Sequence, residues 1–199
     1  MGNSELTTTW CAMWSEDPEL AHRVLAPQGR QWSGQTPALD TVVGPEQQVD
    51  FVSAYRAQHV NVFTPRVLAD GGERFAYLWD VRLPDSTLHT GLDVNVVRDG
   101  LVVDNWTFVA PRHCALADPE ETGDATLDAA ELGALAARWV AVWDGAVEQA
   151  SGLVADDYLA WSGASEVEQE GTGPEVLAAR VEQEPVSYTH LTLPTNREV

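Results

Sequence analysis

Between residues 61 and 109 apolar and polar side chains alternate with a period of two, the signature of strands with one buried face. Four strands are predicted, at 61–69, 74–83, 88–97 and 101–109. They are separated by Asp70-Gly71-Gly72, Pro84-Asp85-Ser86 and Asp99-Gly100, all turn-forming clusters. In residues 89–106, HTGLDVNVVRDGLVVDNW, the Asp99-Gly100 turn joins two of them into a hairpin. Gly91, Asp93 and Asn95 share one face of its first strand, and Leu92, Val94 and Val96 the other. An acid among apolar neighbours in mid-strand either faces water or lines a pocket. Before residue 60 the period is helical. Trp10 and Trp14 lie four apart on one helical face. Asp17-Pro18 restarts a helix whose apolar side is Leu20, Val24 and Leu25 and whose end is Pro27-Gln28-Gly29. Gln31-Trp32-Ser33 reads as a short strand. Gly44-Pro45-Glu46 opens a third helix, with Gly44 as N-cap, proline in the first turn and an acid against the helix dipole; Phe51, Val52, Tyr55 and His59 follow at helical spacing. Helices followed by antiparallel strands predict an α+β fold, three helices packed on one face of a curved sheet.

The second half of the chain begins the same pattern again. Residues 115–127 are acidic and poor in large apolar groups, as a linker would be. Asp128 and Glu131 have capping-box spacing, and Leu132, Leu135, Trp139, Val142 and Trp143 form an apolar stripe. At a fixed offset of 129, residues 10–52 match 139–181 at thirteen positions, among them Trp10/Trp139, Trp14/Trp143, Trp32-Ser33-Gly34/Trp161-Ser162-Gly163 and Gly44-Pro45-Glu46/Gly173-Pro174-Glu175. A tandem duplication is expected, with a complete domain over 1–114, the linker, and a truncated, helices-only repeat over 128–185. Residues 186–195, VSYTHLTLPT, read as a translated transposon-type sequencing adapter, so 186–199 are expected to be a non-native tail without part in the fold. Tryptophans present in both copies point to shared framework; single-copy residues are the better place to look for chemistry.

The formal net charge of −20 changes the list of partners. It disfavours nucleic acid and anionic membrane surfaces, and with all eleven basic residues Arg there is no lysine for Schiff-base or phosphate-loop chemistry. Cys11 and Cys114 stand alone in separate segments, which argues against a structural disulfide or zinc site, and no His/acid spacing offers a metal site. Neither a signal peptide nor a membrane-length apolar run is apparent, so a soluble cytoplasmic protein without a cofactor is expected.

The ordered set of the Trp10/Trp14 helix, Asp17-Pro18, the Gly44-Pro45 helix start, YLWDV around Trp79, and TGLDV followed by RDG and NW resembles the NTF2-like superfamily, and within it the SnoaL-like proteins. The resemblance covers residues 7–110 and part of 128–185. It implies a cone, a curved sheet wrapped by three helices, with a pocket at the open end. It also implies the range of functions found there: steroid isomerases, polyketide cyclases, dehydratases, epoxide hydrolases and binding-only domains.

Within that resemblance Asp93 is the first candidate, because isomerases and cyclases carry an acid on the equivalent strand. Buried against tryptophan, its carboxyl would bind its proton more tightly and could donate to a substrate oxygen or shuttle a proton; alternatively it is a structural aspartate bonded to Asn95 or a helix. The isomerases' general base has no counterpart in the loop at Gln35 and Thr36, although Asp40 is near. Asp80 and Arg82, with Asp93, supply the residue types of an acid–Arg–acid set, but they should face outward if Trp79 faces in. His89, on the face of Asp93, is a candidate rim acid/base, and His113 a candidate cover for the mouth. Trp14, Trp32, Tyr55, Trp79, Asn95 and Trp106 are candidate ligand-lining residues. Two functions follow: a small-molecule domain for an apolar, oxygen-bearing ligand, using Asp93 for proton transfer if it is an enzyme; or a non-catalytic ligand-binding or dimerisation module. The expected partners are the small-molecule ligand and either a second copy of the chain or, as a pseudo-dimer, its own repeat.

Overall fold

The computed structural model describes residues 1–111, 128–159 and 171–183, which fall into two compact units. In the first unit α1 (Asn3–Ser15) leads through a short 3-10 turn (Pro18–Leu20) into α2 (Ala21–Val24). Strand β1 (Leu25–Ser33), a 3-10 turn (Pro37–Thr41) and α3 (Gly44–Gln58) follow. The remaining strands are β2 (Val62–Gly71), β3 (Arg74–Arg82), β4 (Leu88–Arg98) and β5 (Leu101–Pro111). All four strands read from the alternation are present, within two residues at each end. The five strands form one curved, open sheet in the order β1-β5-β4-β3-β2. This is the α+β arrangement the resemblance implies.

Two details differ from the expectation. The sheet is not wholly antiparallel, because β1 runs parallel to β5. And β1 starts at Leu25, directly after α2, rather than at Gln31. The register breaks between Leu25 and Arg30, and Pro27 falls inside that break, where a missing N–H removes no ladder bond. A proline-glycine pair that reads as a helix end is thus a bulge within a strand.

The helices cover one face of the sheet. From α1 come Leu6, Trp10, Met13 and Trp14, spaced along one side; from α3 come Gln48 and Val52. They meet Phe75, Tyr77, Trp79 and Val81, every second residue of β3, in one core. Each side chain of this size removed from water contributes about 1.5–3 kcal/mol. Helix α1 is also buried at Thr7 and Thr9, whose hydroxyls donate to the carbonyls of Ser4 and Glu5 at 2.9 and 2.8 Å. Helix α3 opens on Gly44 at φ +76°, where an added Cβ would lie 2.5 Å from the carbonyl oxygen of Pro27. Only glycine fits that entry.

In the second unit, α4 (Ala129–Trp143) has its capping box: the Asp128 carboxylate accepts from the N–H groups of Ala130 and Glu131, and the Glu131 side chain accepts from Asp128 N–H. A 3-10 turn (Val147–Gly152) and α5 (Pro174–Gln183) follow. Val142, Ala150, Leu177 and Val181 are its buried core. Gly173 stands at φ +87°, where a Cβ would meet the carbonyl oxygen of Asp156 at 2.7 Å. These two residues lie 129 positions after Gly44 and Pro27. The predicted linker at 115–127, Cys114, His113 and the adapter-like tail at 186–199 lie outside the described residues.

Candidate functional site

Between the helices and the inner face of the sheet is a cavity of about 620 Å³. Its walls are the inward faces of four strands and α1, continued at the rim by Gln35, Thr36, Asn61 and the β3–β4 turn with Asp85. Trp10, Trp14, Tyr55, Phe63, Tyr77 and Trp79 make the lining rich in aromatic rings. Trp14 lies edge-on to Tyr55, with centroids 5.4 Å apart at 84°, and tilted to Phe63 at 6.0 Å and 50°; Phe63 is tilted to Trp79 at 5.3 Å and 57°. Rings at such angles form walls rather than a stack.

Asp93 is the buried acid of this cavity, only 2% exposed. Its register on β4 faces Tyr77 on β3 and Thr107 on β5. Three side chains donate to its carboxylate: Trp79 Nε1 to Oδ1 at 2.8 Å, and Tyr77 OH and Asn105 Nδ2 to Oδ2 at 3.0 and 3.1 Å. Trp79 reaches it because its neighbour across the strands is Gly91. A Cβ on Gly91 would sit 2.1 Å from the indole ring. Glycine at 91 therefore makes the room that the indole fills.

Behind Asp93 runs a line of uncharged side chains from three elements, α3, β1 and β5. Gln48 Nε2 donates to Gln31 Oε1 at 3.1 Å, Gln31 Nε2 to Thr107 Oγ1 at 3.0 Å, Thr107 Oγ1 to Asn105 Oδ1 at 2.8 Å, and Asn105 Nδ2 to Asp93. Every member donates in the same sense, so each dipole turns its positive end toward the carboxylate. Asn105 Nδ2 also donates to Asn95 Oδ1 at 2.9 Å.

Burial pushes the Asp93 carboxyl above the usual carboxylate range, while its bonds from Trp79, Asn105 and Tyr77 pull the other way. Burial, with Asp93 and Cys11 beside it, holds the Tyr77 hydroxyl well above its ordinary value. The Cys11 thiol, buried in the same wall, is pushed up to about 12, mainly by desolvation and then by the charge of Asp93. At the rim Asn61 Nδ2 donates to Tyr55 OH at 2.6 Å, and Asn61 Oδ1 has no partner among the described residues.

The structure brings some of the sequence candidates together and separates others. Asp93, His89, Trp14, Tyr55 and Trp79 all line the cavity. Asn95 is buried one register step beyond Asp93, under Asn105, and is not part of the lining. Trp32 and Trp106 are register partners on the other face of the sheet, where they line a separate depression of about 180 Å³ with Asp40 and Phe108. The pleat decides this: Gln31 and Asn105 turn inward, so their neighbours turn outward. Asp40 is exposed on the 3-10 turn, and from that turn it is Leu39 that enters the cavity. Asp80 faces away from the cavity, as expected from Trp79, and pairs with Arg66 at 3.5 Å. Tyr77, Asn105, Thr107, Gln31, Gln48, Cys11, Asn61 and His59 were not among the candidates. For Asn105 and Thr107 a signal exists, since polar residues two apart on β5 fall opposite Asn95 and Asp93.

No protein-family model matches this sequence, and no curated protein matches it. Solved structures do show a similar fold. One is a candidate isomerase of the SnoaL-like family from Agrobacterium tumefaciens, 18% identical over 53% of this chain and 95% of its own, with a TM-score of 0.47. Another is IdmH, a candidate polyketide cyclase from Streptomyces antibioticus, 18% identical over 55% of this chain and 92% of its own, TM-score 0.47. A third is a candidate ketosteroid isomerase from Kribbella flavida, 19% identical over 64% of this chain and 91% of its own, TM-score 0.47. Likenesses at these identities and scores do not bear on what the cavity holds. No described helix is long and apolar enough to cross a membrane.

Proposed function

We propose that residues 1–111 form a small-molecule-binding domain whose cavity takes an apolar ligand with one polar end at Asp93. The observation that carries this reading is a buried carboxylate, oriented by three side-chain donors, in the wall of an aromatic cavity. The donors also say what the ligand's polar end must do. Tyr77, Trp79 and Asn105 each already give a proton to Asp93, so an ionised Asp93 offers an acceptor. Those three have no further proton for a bare carbonyl, whereas a hydroxyl or amine would find a partner in the carboxylate. For the same reason binding is favoured over proton transfer next to a carbonyl, which needs a donor for the developing oxyanion as well as a base. Titrating the full chain with 4-phenylbutan-1-ol, followed by tryptophan fluorescence, tests the reading. Saturable binding weakened in Phe63→Trp, which fills the cavity, is expected. No saturable binding of this or any comparable amphiphile would refute it.

A second reading is supported by the outer face of the sheet. Trp106 and Phe108 on β5 are 37% and 60% exposed there, beside Leu92 and Val94 on β4. Such a face fits pairing with a second copy. Sedimentation of the native chain and of Phe108→Glu tests it: a dimer lost in the variant is expected, and a monomer at all concentrations refutes pairing. We further infer that residues 128–183 repeat the first module. The parallel of Gly173 and Asp156 with Gly44 and Pro27 supports this, as do Leu177 and Val181 buried where the offset puts Gln48 and Val52.

A further inference from the structure

Three features of the cavity bear on the charge of its ligand. The first is the charge of the lining itself. Among the described residues it includes two carboxylates, Asp93 inside and Asp85 at the rim, two imidazoles, His59 and His89, and no arginine, in a chain of net charge −20. An anion entering here meets the repulsion of both carboxylates with no arginine to offset it, whereas a cation is drawn in. The second is hydrogen-bonding capacity. An ionised carboxylate has about four lone-pair sites. Two on Asp93 Oδ2 are taken by Tyr77 and Asn105 and one on Oδ1 by Trp79, and the Thr107 proton goes to Asn105. One acceptor site on Oδ1 is left, and Asn61 Oδ1, on a residue 7% exposed, is a second acceptor without a partner among the described residues. The third is the wall. Trp14, Tyr55, Phe63 and Trp79 stand at 50–84° to one another, and Trp79 joins this wall to the carboxylate through its own N–H.

We propose that the cavity binds an apolar organic cation, a protonated or quaternary amine seated among the rings of Trp14, Phe63 and Trp79 with its charge toward Asp93 Oδ1. Aromatic faces attract a cation through the ring quadrupole, most strongly where water is excluded. A buried carboxylate supplies the counter-charge. A neutral alcohol of the same shape can use the free lone pair but gains little from the rings or from the field. The proposal rests on the reading of this cavity as a small-molecule site.

The test compares three probes of one shape on the full chain at neutral pH: 4-phenylbutylamine, 4-phenylbutan-1-ol and 4-phenylbutyrate. The amine is expected to bind about tenfold or more tighter than the alcohol, and the butyrate weakest. Asp93→Asn should bring amine and alcohol to similar affinities. Phe63→Leu, which leaves the carboxylate in place, should weaken the amine more than the alcohol and keeps the test valid if Asp93→Asn does not fold. Alcohol or butyrate binding as tightly as the amine overturns the cation proposal and leaves the small-molecule reading standing. So does an equal loss of amine and alcohol in Phe63→Leu. Absence of binding by all three overturns both.

Discussion

Replacing Gly91 by alanine probes how the site is built with a single methyl group. An added Cβ would lie 2.1, 2.3 and 2.6 Å from Cζ2, Cε2 and Cη2 of Trp79, where carbon atoms ordinarily approach to about 3.5–4.0 Å. The indole must therefore retreat by about 1.5 Å. Its N–H bond to Asp93, 2.8 Å long, then stretches beyond hydrogen-bonding range. Overpacking of this kind costs about 1–3 kcal/mol, and a hydrogen bond to a charged group about 1.5–3 kcal/mol. Gly91→Ala should accordingly destabilise the first unit by about 3–6 kcal/mol, a large share of the roughly 5–15 kcal/mol typical of a domain. The control is Trp79→Phe. Phenylalanine lacks the fused-ring atoms that the methyl strikes and has no N–H to lose, so adding Gly91→Ala to that background should cost less than about 1 kcal/mol. Urea unfolding of the four proteins, followed by circular dichroism, measures all the terms of the cycle. A loss below 1 kcal/mol for Gly91→Ala alone, or the same loss in both backgrounds, would refute the claim that glycine at 91 exists to admit the indole.

Three further outcomes follow from groups already described. Because burial raises the Asp93 carboxyl above 3.8, the folded state holds that proton more tightly than the unfolded chain; stability from this source is present below 3.8 and lost as pH rises through the folded value. The stability difference between native chain and Asp93→Asn should therefore shift in favour of the variant as pH climbs from about 4, and parallel pH profiles would exclude it. With its thiol held near 12, Cys11 should react with a thiol reagent at pH 8 at least about 100-fold more slowly in the folded Cys114→Ser chain than in the same chain in urea; equal rates would contradict the assignment. Gly44→Ala places a side chain at φ +76° and against the Pro27 carbonyl, so a loss of at least about 2 kcal/mol is expected, and a neutral effect in thermal unfolding would count against a rigid α3 entry.

The strands after residue 60 were legible because one face is buried and the other is not, so alternation records them directly. The phase of Asp93 was legible for the same reason, on one face with Gly91 and Asn95, but alternation left open whether that face met water or a pocket, and burial of all three decides it. The path of β1 was not, because Pro27 and Gly29 carry the same turn signal in a bulge as at a helix end. Trp32 and Trp106 show the limit of reading tryptophan as pocket: their residue type favours enclosure, but their phase places them on the outer face. The polar line behind Asp93 was hidden by distance. Gln48, Gln31, Thr107 and Asn105 come from three elements, and nothing local marks Gln48 and Gln31 as a pair. The positions 129 residues on are Leu177 and Ala160, an apolar pair in place of two amides.

The parallel pairing of β1 with β5 has a consequence for how the cavity comes into being. The four later strands are joined by tight turns, so their contacts close short loops and form quickly. Gln31 and Thr107, by contrast, meet across 76 residues. Closing that loop costs about 2 kcal/mol more entropy than closing one of ten residues. The hairpins can therefore bring Tyr77, Trp79 and Asn105 to Asp93 before β1 docks, and the polar line through Gln31 and Gln48 is completed only when the N-terminal segment arrives. A refolding chain will show its sheet by circular dichroism before it can hold a ligand. During synthesis the wall formed by Thr107 and Val109 is missing until β5 has emerged.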